Sequence, residues 1–437
     1  MRSPPDLDGQ VQSAYGVGMF WMLVVACAAP ETESGRADDR RPPVDTSVEV
    51  PPDADAPPVS EEDAGAQDAD LDSWFFVPDT VHHIDLTLPA VSSNLLAADP
   101  YTHVLADVSI DGVPLPEVGV RLRGKIGSFR TLAGKPKFEV DFNHFVSDQR
   151  FYGLESLSLN NSVVDCSFLK EPMALAVLAR AGVPASRTGF AWVTVNGADY
   201  GLYVIVETQD DRFTTRNWAD GTGNLYDGKY VWYGGYNYVL LDFNNGVDEL
   251  YALEEGTDVA WADIKGVSQA LSVAPTSGAY VETLGAVLNW DAFHREVVGE
   301  QWTGQNDGYA LDINNYRVYF DPADGKANII PWDYDYSFLN DSDWGMSWRY
   351  PAGDLASTCF ADPTCAATHA EMVATVLEEL DPVSLTELFN VMDETTWDAS
   401  QQDPRQECGA SNVSYYRDAI RTWTLGRGDY MRRFWGL

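Results

Sequence analysis

The stretch from Asn306 to Phe338, NDGYALDINNYRVYFDPADGKANIIPWDYDYSF, constrains the fold more than any other. Two apolar runs, Tyr316–Phe320 and Ala327–Ile330, flank an Asp-Pro-Ala-Asp-Gly turn, a pattern that predicts a β-hairpin. Acidic and amide groups stand at both open ends: Asp307, Asn314 and Asn315 before the first strand, Asp333 and Asp335 after the second. A hairpin returns on itself, so the two sets are expected to lie close together. Carboxylates and amides converging beside Trp332 and several tyrosines suit a divalent cation holding a phosphate-bearing ligand. Any one of these acids taken alone reads equally well as a strand-end residue that solvates the hairpin.

The chain has 437 residues, 45% hydrophobic and 12% aromatic, which permits a substantial core in two or three domains, or in one large domain with a tail. A net charge of −39 and a pI near 4.2 argue against nucleic acid or an anionic membrane surface as partner and favour divalent cations. Val17 to Ala29 is apolar, of signal-peptide length, and too short for a comfortable membrane span. It ends in Leu23-Val24-Val25-Ala26-Cys27, which resembles a bacterial lipobox. Residues 1–27 are therefore expected to be a lipoprotein-type signal peptide that leaves a lipid on Cys27. Arg2 is the only basic residue before this stretch and Asp6 and Asp8 oppose it, so Met19 is an alternative start. Residues 28–72 are rich in Pro, Ala, Asp and Glu and read as a disordered, self-repelling tether to a globular domain at 73–437. The expectation is an exported protein, an outer-membrane or cell-surface lipoprotein or otherwise secreted, touching membrane only through Cys27. Setting Cys27 aside, Cys166, Cys359, Cys365 and Cys408 form an even set, as exported proteins carry. Cys359 could bond to Cys365, or one of them could reach Cys408, and the spacing leaves all pairings open. Neither CxxC spacing nor a His cluster accompanies them to make a zinc site.

After the tether, Val81–Leu88, His103–Ile110 and Glu117–Leu122 read as strands, the last two joined at Asp111-Gly112. Arg121 to Phe142, RLRGKIGSFRTLAGKPKFEVDF, is the most basic stretch of an acidic chain, and its end alternates as a strand. Arg123 and its basic neighbours around Gly124 and Gly127 could cradle an anion, or simply pair with the acidic surface. A strand at Leu157–Asn160 leads through Asp165 or Ser167 as N-cap into a helix over Phe168–Ala181. Strands Phe190–Val195 and Gly201–Glu207 flank an Asn196-Gly197 turn, and Gly221 to Asn245 reads as an irregular loop. Helices are expected at Trp261–Ser272, Gly278–Leu284, Trp290–Trp302, Ala370–Leu380, Pro382–Asp393 and Val413–Phe434. A sheet-rich part followed by a helix-rich part makes the fold class α+β and bilobal.

Several stretches, in order, resemble the spore-coat-protein-H family, the CotH kinases, which are atypical protein kinases. They are VGVRLRG with the Lys-containing strand after it, SLSLNNSVVDCSFLKEPMALAVLARAGVPASRTGFAWVTVNGADYGLYVIVE, QNDGYALDINNYRVYF and IIPWDYDYSF, and the likeness covers roughly Val81 to Phe338. It implies an atypical protein-kinase-like fold, an antiparallel sheet in the N-terminal part and helices in the C-terminal part, using ATP with Mg²⁺ or Mn²⁺. Asp307 matches the family's catalytic-loop Asp, which would orient or deprotonate the acceptor hydroxyl. Asn315 matches its metal-binding Asn, with Asn314 as a nearby substitute, and Asp333 its metal-binding Asp, supported by Asp335. Lys135 falls where the family has a phosphate-contacting Lys, with Glu171 as its helix partner and Arg123 also on the nucleotide. Glu207 would lie at the hinge near the nucleotide. Lys125 departs from the family, which has a small amide or hydroxyl after RLRG.

Phosphoryl transfer needs positioning and charge neutralisation more than covalent chemistry from the protein, and these residues supply both. The function expected is transfer of the γ-phosphate of ATP to Ser or Thr of an envelope or secreted protein. A catalytically inactive envelope protein of the same fold, acting in adhesion or assembly, is the alternative. Glycan hydrolysis by paired carboxylates would leave the basic stretch without a role.

Overall fold

Alternation of inward apolar and outward polar side chains builds the first half of the structure, a computed structural model that describes residues 71–437 apart from 126, 229–230, 234–236, 240–241, 244–250 and 275–278. The expected signal peptide with Cys27, and the tether up to residue 70, lie outside the described residues. Seven strands, β1 (Val81–Thr87), β2 (Val104–Ile110), β3 (Val113–Arg123), β4 (Lys137–Asp141), β5 (Ser156–Asn160), β6 (Thr188–Val195) and β7 (Ala198–Glu207), close into a barrel in the order β1-β2-β3-β4-β5-β7-β6. All pairs are antiparallel except β1 with β6, the pair that shuts the barrel and leaves no free sheet edge. Ile84, Leu86, Val108, Val120, Val140 and Ile205 fill its interior. The Asp111-Gly112 and Asn196-Gly197 turns take the positive φ angles that two-residue hairpins require, 50° and 84°, and 51° and 77°.

Two helices flank this sheet. The first, α1 (Ala90–Ala98), has no counterpart among the elements expected from the sequence, because its run of Ser, Asn and Ala lacks an apolar stripe. The second, α2 (Lys170–Arg180), has Leu169 at its N-cap rather than the expected Asp165 or Ser167, though both brace the entering turn: Asp165 Oδ2 accepts from Lys170 N at 2.9 Å and Ser167 Oγ from Leu169 N at 3.0 Å.

A second sheet holds the predicted hairpin. Strands β8 (Asn224–Gly228), β11 (Tyr251–Glu255), β12 (Tyr316–Asp321) and β13 (Lys326–Pro331) lie in the order β11-β8-β12-β13, and β9 (Val231–Tyr233) pairs with β10 (Asn237–Val239) apart from them. The stretch from Gly221 to Asn245, expected to be an irregular loop, thus contributes a core strand: Leu225 and Tyr226 are fully buried, but turn-forming Gly, Asn and Asp around them disguise the alternation. Around the sheet lie α3 (Asp211–Asn217), α4 (Ala262–Val273), α5 (Tyr280–Leu284), α6 (Trp290–Thr303), α7 (Tyr309–Asp312), α8 (Asp354–Ala361), α9 (Pro363–Glu379), α10 (Pro382–Gln402) and α11 (Ala410–Trp435). Helix α9 starts well ahead of the expected Ala370 because Asp362 accepts from the amides of Thr364 and Cys365 while Pro363 occupies the first turn. Helix α10 runs past the expected Asp393 to Gln402.

The fold is α+β, with a mixed rather than purely antiparallel barrel. One apolar cluster spans both parts of the chain: Leu202, Val204 and Val206 on the outside of the barrel pack with Met173 of α2, Trp302 of α6 and Phe389 of α10. Disulfides join Cys166 to Cys408 and Cys359 to Cys365. Buried Asp72 accepts from Arg187 and Arg212. Among the described residues no helix is long and apolar enough to cross a membrane.

Candidate active site

The two ends of the β12–β13 hairpin do converge. After β13, Asp333 takes a left-handed backbone conformation (φ 52°), and before β12 Asn315 does the same (φ 48°). Asn315 Nδ2 donates to Asp307 Oδ2 at 2.9 Å and lies 3.3 Å from the Asp333 carbonyl oxygen, while Asn314 Nδ2 donates to Asp307 Oδ1 at 2.9 Å. Both amide nitrogens are thus committed, and the amide oxygens are the atoms left for a cation.

The barrel supplies the other wall. Lys137, at the start of β4, places Nζ 2.9 Å from Asp335 Oδ2 and 3.1 Å from Asp333 Oδ1. Glu171, in the first turn of α2, is buried and accepts from Asn160 Nδ2 of β5. Arg123 Nη1 donates to Ser158 Oγ, and its guanidinium lies 5.0 Å from the Trp332 ring, which Arg317 also approaches, at 4.4 Å. Together Arg123, Gly124, Lys137, Ser158, Asn160, Glu171, Val206, Trp332 and Asp333 line a cleft with about 310 Å³ of empty space, counting the part open to solvent.

Carboxyls outnumber cations here, and proton affinities rise accordingly. Burial, then the charges of Asp333 and Asp335, push Glu171 up to about 8. Burial pushes Asp307 up to about 7 against the hydrogen bond from Asn314, with Asp312 and Asp333 adding to the rise. Burial and Asp333 push Asp335 up to about 6, although Lys137 opposes the shift. Burial alone would lower Lys137, but Asp333, Asp335 and Glu171 outweigh it and hold the ammonium above the ordinary lysine value. An excess of hard oxygen donors around one ammonium fits a divalent cation of the magnesium type, which Asp333, Asp335 and Asn315 would hold.

Beneath the site runs α6, with two fully buried acids one turn apart. Tyr334 Oη donates to Glu296 Oε1 at 2.9 Å, fixing the segment between Asp333 and Asp335. Glu300 accepts from Tyr309 N at 2.6 Å and Ala310 N at 2.9 Å, fixing the segment just after Asp307. Gly308 makes that approach possible, since a Cβ there would lie 2.4 Å from Glu300 Oε1. Burial raises the pKa of both, and the charge of Glu296 adds to the rise at Glu300. Nothing in the sequence reading drew attention to this pair; acids four apart on an otherwise apolar helix face were the available signal.

The family model for CotH kinase protein matches residues 120–431. The chain belongs to the CotH kinase family. The inner spore coat protein H of Bacillus subtilis (strain 168) is 24% identical over 203 residues, 45% of this chain and 54% of that protein, so the match spans about half of the curated relative's length. Among solved structures, the proinflammatory kinase CtkA of Helicobacter pylori is similar at TM-score 0.33 and 11% identity, covering 68% of this chain and 94% of that one. The HipA–HipB toxin–antitoxin complex with operator DNA from Shewanella oneidensis MR-1 is similar at TM-score 0.34 and 12% identity, covering 82% and 75%.

In this member of the CotH kinase family the residues named from the sequence divide into two groups. Arg123, Glu171 and Asp333 line the cleft, Asp335 adjoins it through Lys137, and Asn315 links Asp307 to the Asp333 carbonyl beside it. Lys135 does not line it: its Nζ is buried between the rings of Phe168 and Tyr203 and bonds Asp403 Oδ2 at 2.6 Å and the Leu202 carbonyl at 2.7 Å. It lies between the turn at residues 131–134 and β4, which begins only at Lys137, so Lys137 rather than Lys135 faces the carboxylates. Glu207 ends β7, but its carboxylate is taken by Arg187 and Arg216 (2.7 and 2.6 Å), and it is Val206 that lines the cleft. Lys125, the departure from the family pattern, is exposed and does not line the cleft.

Proposed function

We propose that this CotH kinase transfers the γ-phosphate of ATP to a Ser or Thr hydroxyl of a protein, with a divalent cation on the nucleotide. The observation that carries the reading is Lys137 bridging Asp333 and Asp335, with Glu171 behind it and Asp307 and Asn315 brought in by the other end of the hairpin. A cation held by Asp333, Asp335 and Asn315 supplies charge neutralisation for the phosphate oxygens. Lys137 shifts its ammonium from the aspartates toward those oxygens, and Glu171 keeps it in place. Arg123, braced by Ser158 and Trp332, offers a second positive charge at the cleft wall. Asp307 accepts the proton of the acceptor hydroxyl as that oxygen bonds to the γ-phosphorus and the bond to the β-phosphate oxygen breaks, leaving ADP.

The site of action is proposed to be the envelope or the exterior of the cell. The lipobox-like Cys27 and the disulfides Cys166–Cys408 and Cys359–Cys365, chemistry of an oxidising compartment, support export. The test is incubation of the purified protein with γ-labelled ATP, Mg²⁺ or Mn²⁺ and casein as generic acceptor. Transfer or autophosphorylation that disappears in Asp307→Asn and Asp333→Ala supports the reading. Stabilisation by the cation with no label transferred to any protein overturns it in favour of a binding protein.

A further inference from the structure

We infer that His103, Asp141 and His144 form a second cation site, for a borderline transition metal such as Zn²⁺, on the outer face of the barrel. One ring nitrogen of each histidine and a carboxylate oxygen of Asp141 lie within 4.8 Å of one another. None of the three lines the cleft. Two imidazoles and one carboxylate are a donor set that prefers zinc, nickel or copper over magnesium, whose site in this chain would be built of oxygens alone.

Three separate segments build the cluster. His103 stands one residue before β2, Asp141 ends β4, and His144 lies in the turn that follows. The strand register sets Gly119 of β3 opposite Asp141, and the His144 side chain folds over that glycine. A Cβ at position 119 would lie 2.6 Å from His144 Cβ, so a larger residue would evict the imidazole. His144 Nδ1 is 3.2 Å from Asp141 Oδ2. Ligand atoms around a zinc ion at about 2.0–2.1 Å stand roughly 3.3 Å apart, so this pair already spans one edge of a tetrahedral site. The His103 ring lies 4.3 Å from that of His144, centroid to centroid, and side-chain rotation of His103 completes the triad.

His144 is exposed and Asp141 half-buried, so ions in solution reach the cluster, while His103 sits deeper and is held from behind. His103 Nε2 is buried, lies 3.3 Å from Glu139 Oε1 and makes no well-directed hydrogen bond. Glu139 is itself held by a bidentate contact from Arg121, with both bonds 2.8 Å. A carboxylate behind a histidine is the outer partner that orients a metal-bound imidazole. The second Asp141 oxygen accepts from the Asn143 amide at 3.1 Å, which leaves the oxygen beside His144 for the ion.

Calorimetry and thermal denaturation of the chelator-stripped full chain with Zn²⁺, in millimolar Mg²⁺, test the site. The expected result is one Zn²⁺ per chain with an EDTA-reversible rise in Tm. Affinity should fall at least tenfold in His144→Ala, His103→Ala and Asp141→Asn. It should be unchanged in His83→Ala, which alters an exposed histidine of β1, and in Asp333→Ala, which alters the cleft. Co²⁺ added to the unmutated protein should give visible d–d bands without a thiolate charge-transfer band, a readout that needs no variant. Absence of 1:1 binding, binding that survives loss of both histidines, or binding lost in Asp333→Ala each overturns the assignment.

Discussion

Lys135 and Lys137 are two residues apart, and exchanging each for Ala should have different consequences. Lys137→Ala removes the ammonium that neutralises Asp333 and Asp335, so transfer per folded molecule should fall by about a hundredfold or more. Lys135→Ala strands the buried Asp403 carboxylate and should cost about 3–5 kcal/mol of stability by denaturant titration, with normal turnover per folded molecule. The sequence reading assigned Lys135, and the spacing did not expose the error, because the two lysines share one face if the strand reaches back far enough. It ends at Lys137, and only the packing of Phe168 and Tyr203 reveals where Lys135 goes. The acids of α6 allow a pH test at the same scale. Glu296 has a folded pKa raised to about 8, so the folded state holds a proton that the unfolded chain releases near the ordinary glutamate value. Its contribution is full below that ordinary value and is lost as pH rises through about 8. Glu296→Gln should flatten the decline of stability between pH 5 and 9, by up to about 1.4 kcal/mol per pH unit, the effect of one proton.

The hairpin was the most legible element. Its two apolar runs, its Asp-Gly turn and the acids at its open ends appear in the structure almost where the pattern puts them, because a short hairpin is specified by neighbouring residues alone. The strands beside it were not legible. Strand β8 lies among turn-forming residues and owes its place to β12, with which it pairs from Asn224 to Asp227. The same division holds for the site: the hairpin acids could be picked out, whereas Glu300, which fixes the backbone after Asp307, required knowing that α6 passes beneath. The proposed metal site on the hairpin makes a prediction of its own. Millimolar Mg²⁺ or Mn²⁺ should raise the Tm of the unmutated protein by relieving repulsion among Asp307, Asp333 and Asp335, and the rise should be absent in Asp333→Ala.

Across the whole molecule, the two disulfides differ in reach. Cys166–Cys408 spans 242 residues and ties the entry to α2 to the segment between α10 and α11, whereas Cys359–Cys365 spans only 6. In the chain-entropy picture the long loop is worth about 5 kcal/mol and the short one about 2. A Cys166→Ser/Cys408→Ser pair should therefore lower the denaturant midpoint more than Cys359→Ser/Cys365→Ser. The even cysteine set was readable from the sequence and the pairing was not, since it depends on the barrel and the last helices sharing one apolar cluster. Helix α6 has a wider consequence. One helix holds the backbone on either side of the proposed site through two buried acids a turn apart, so the segments that carry Asp307 and Asp333 are tied to one rod. Under the proposed reaction, a substitution along this inner helix should therefore degrade proton transfer and cation affinity together.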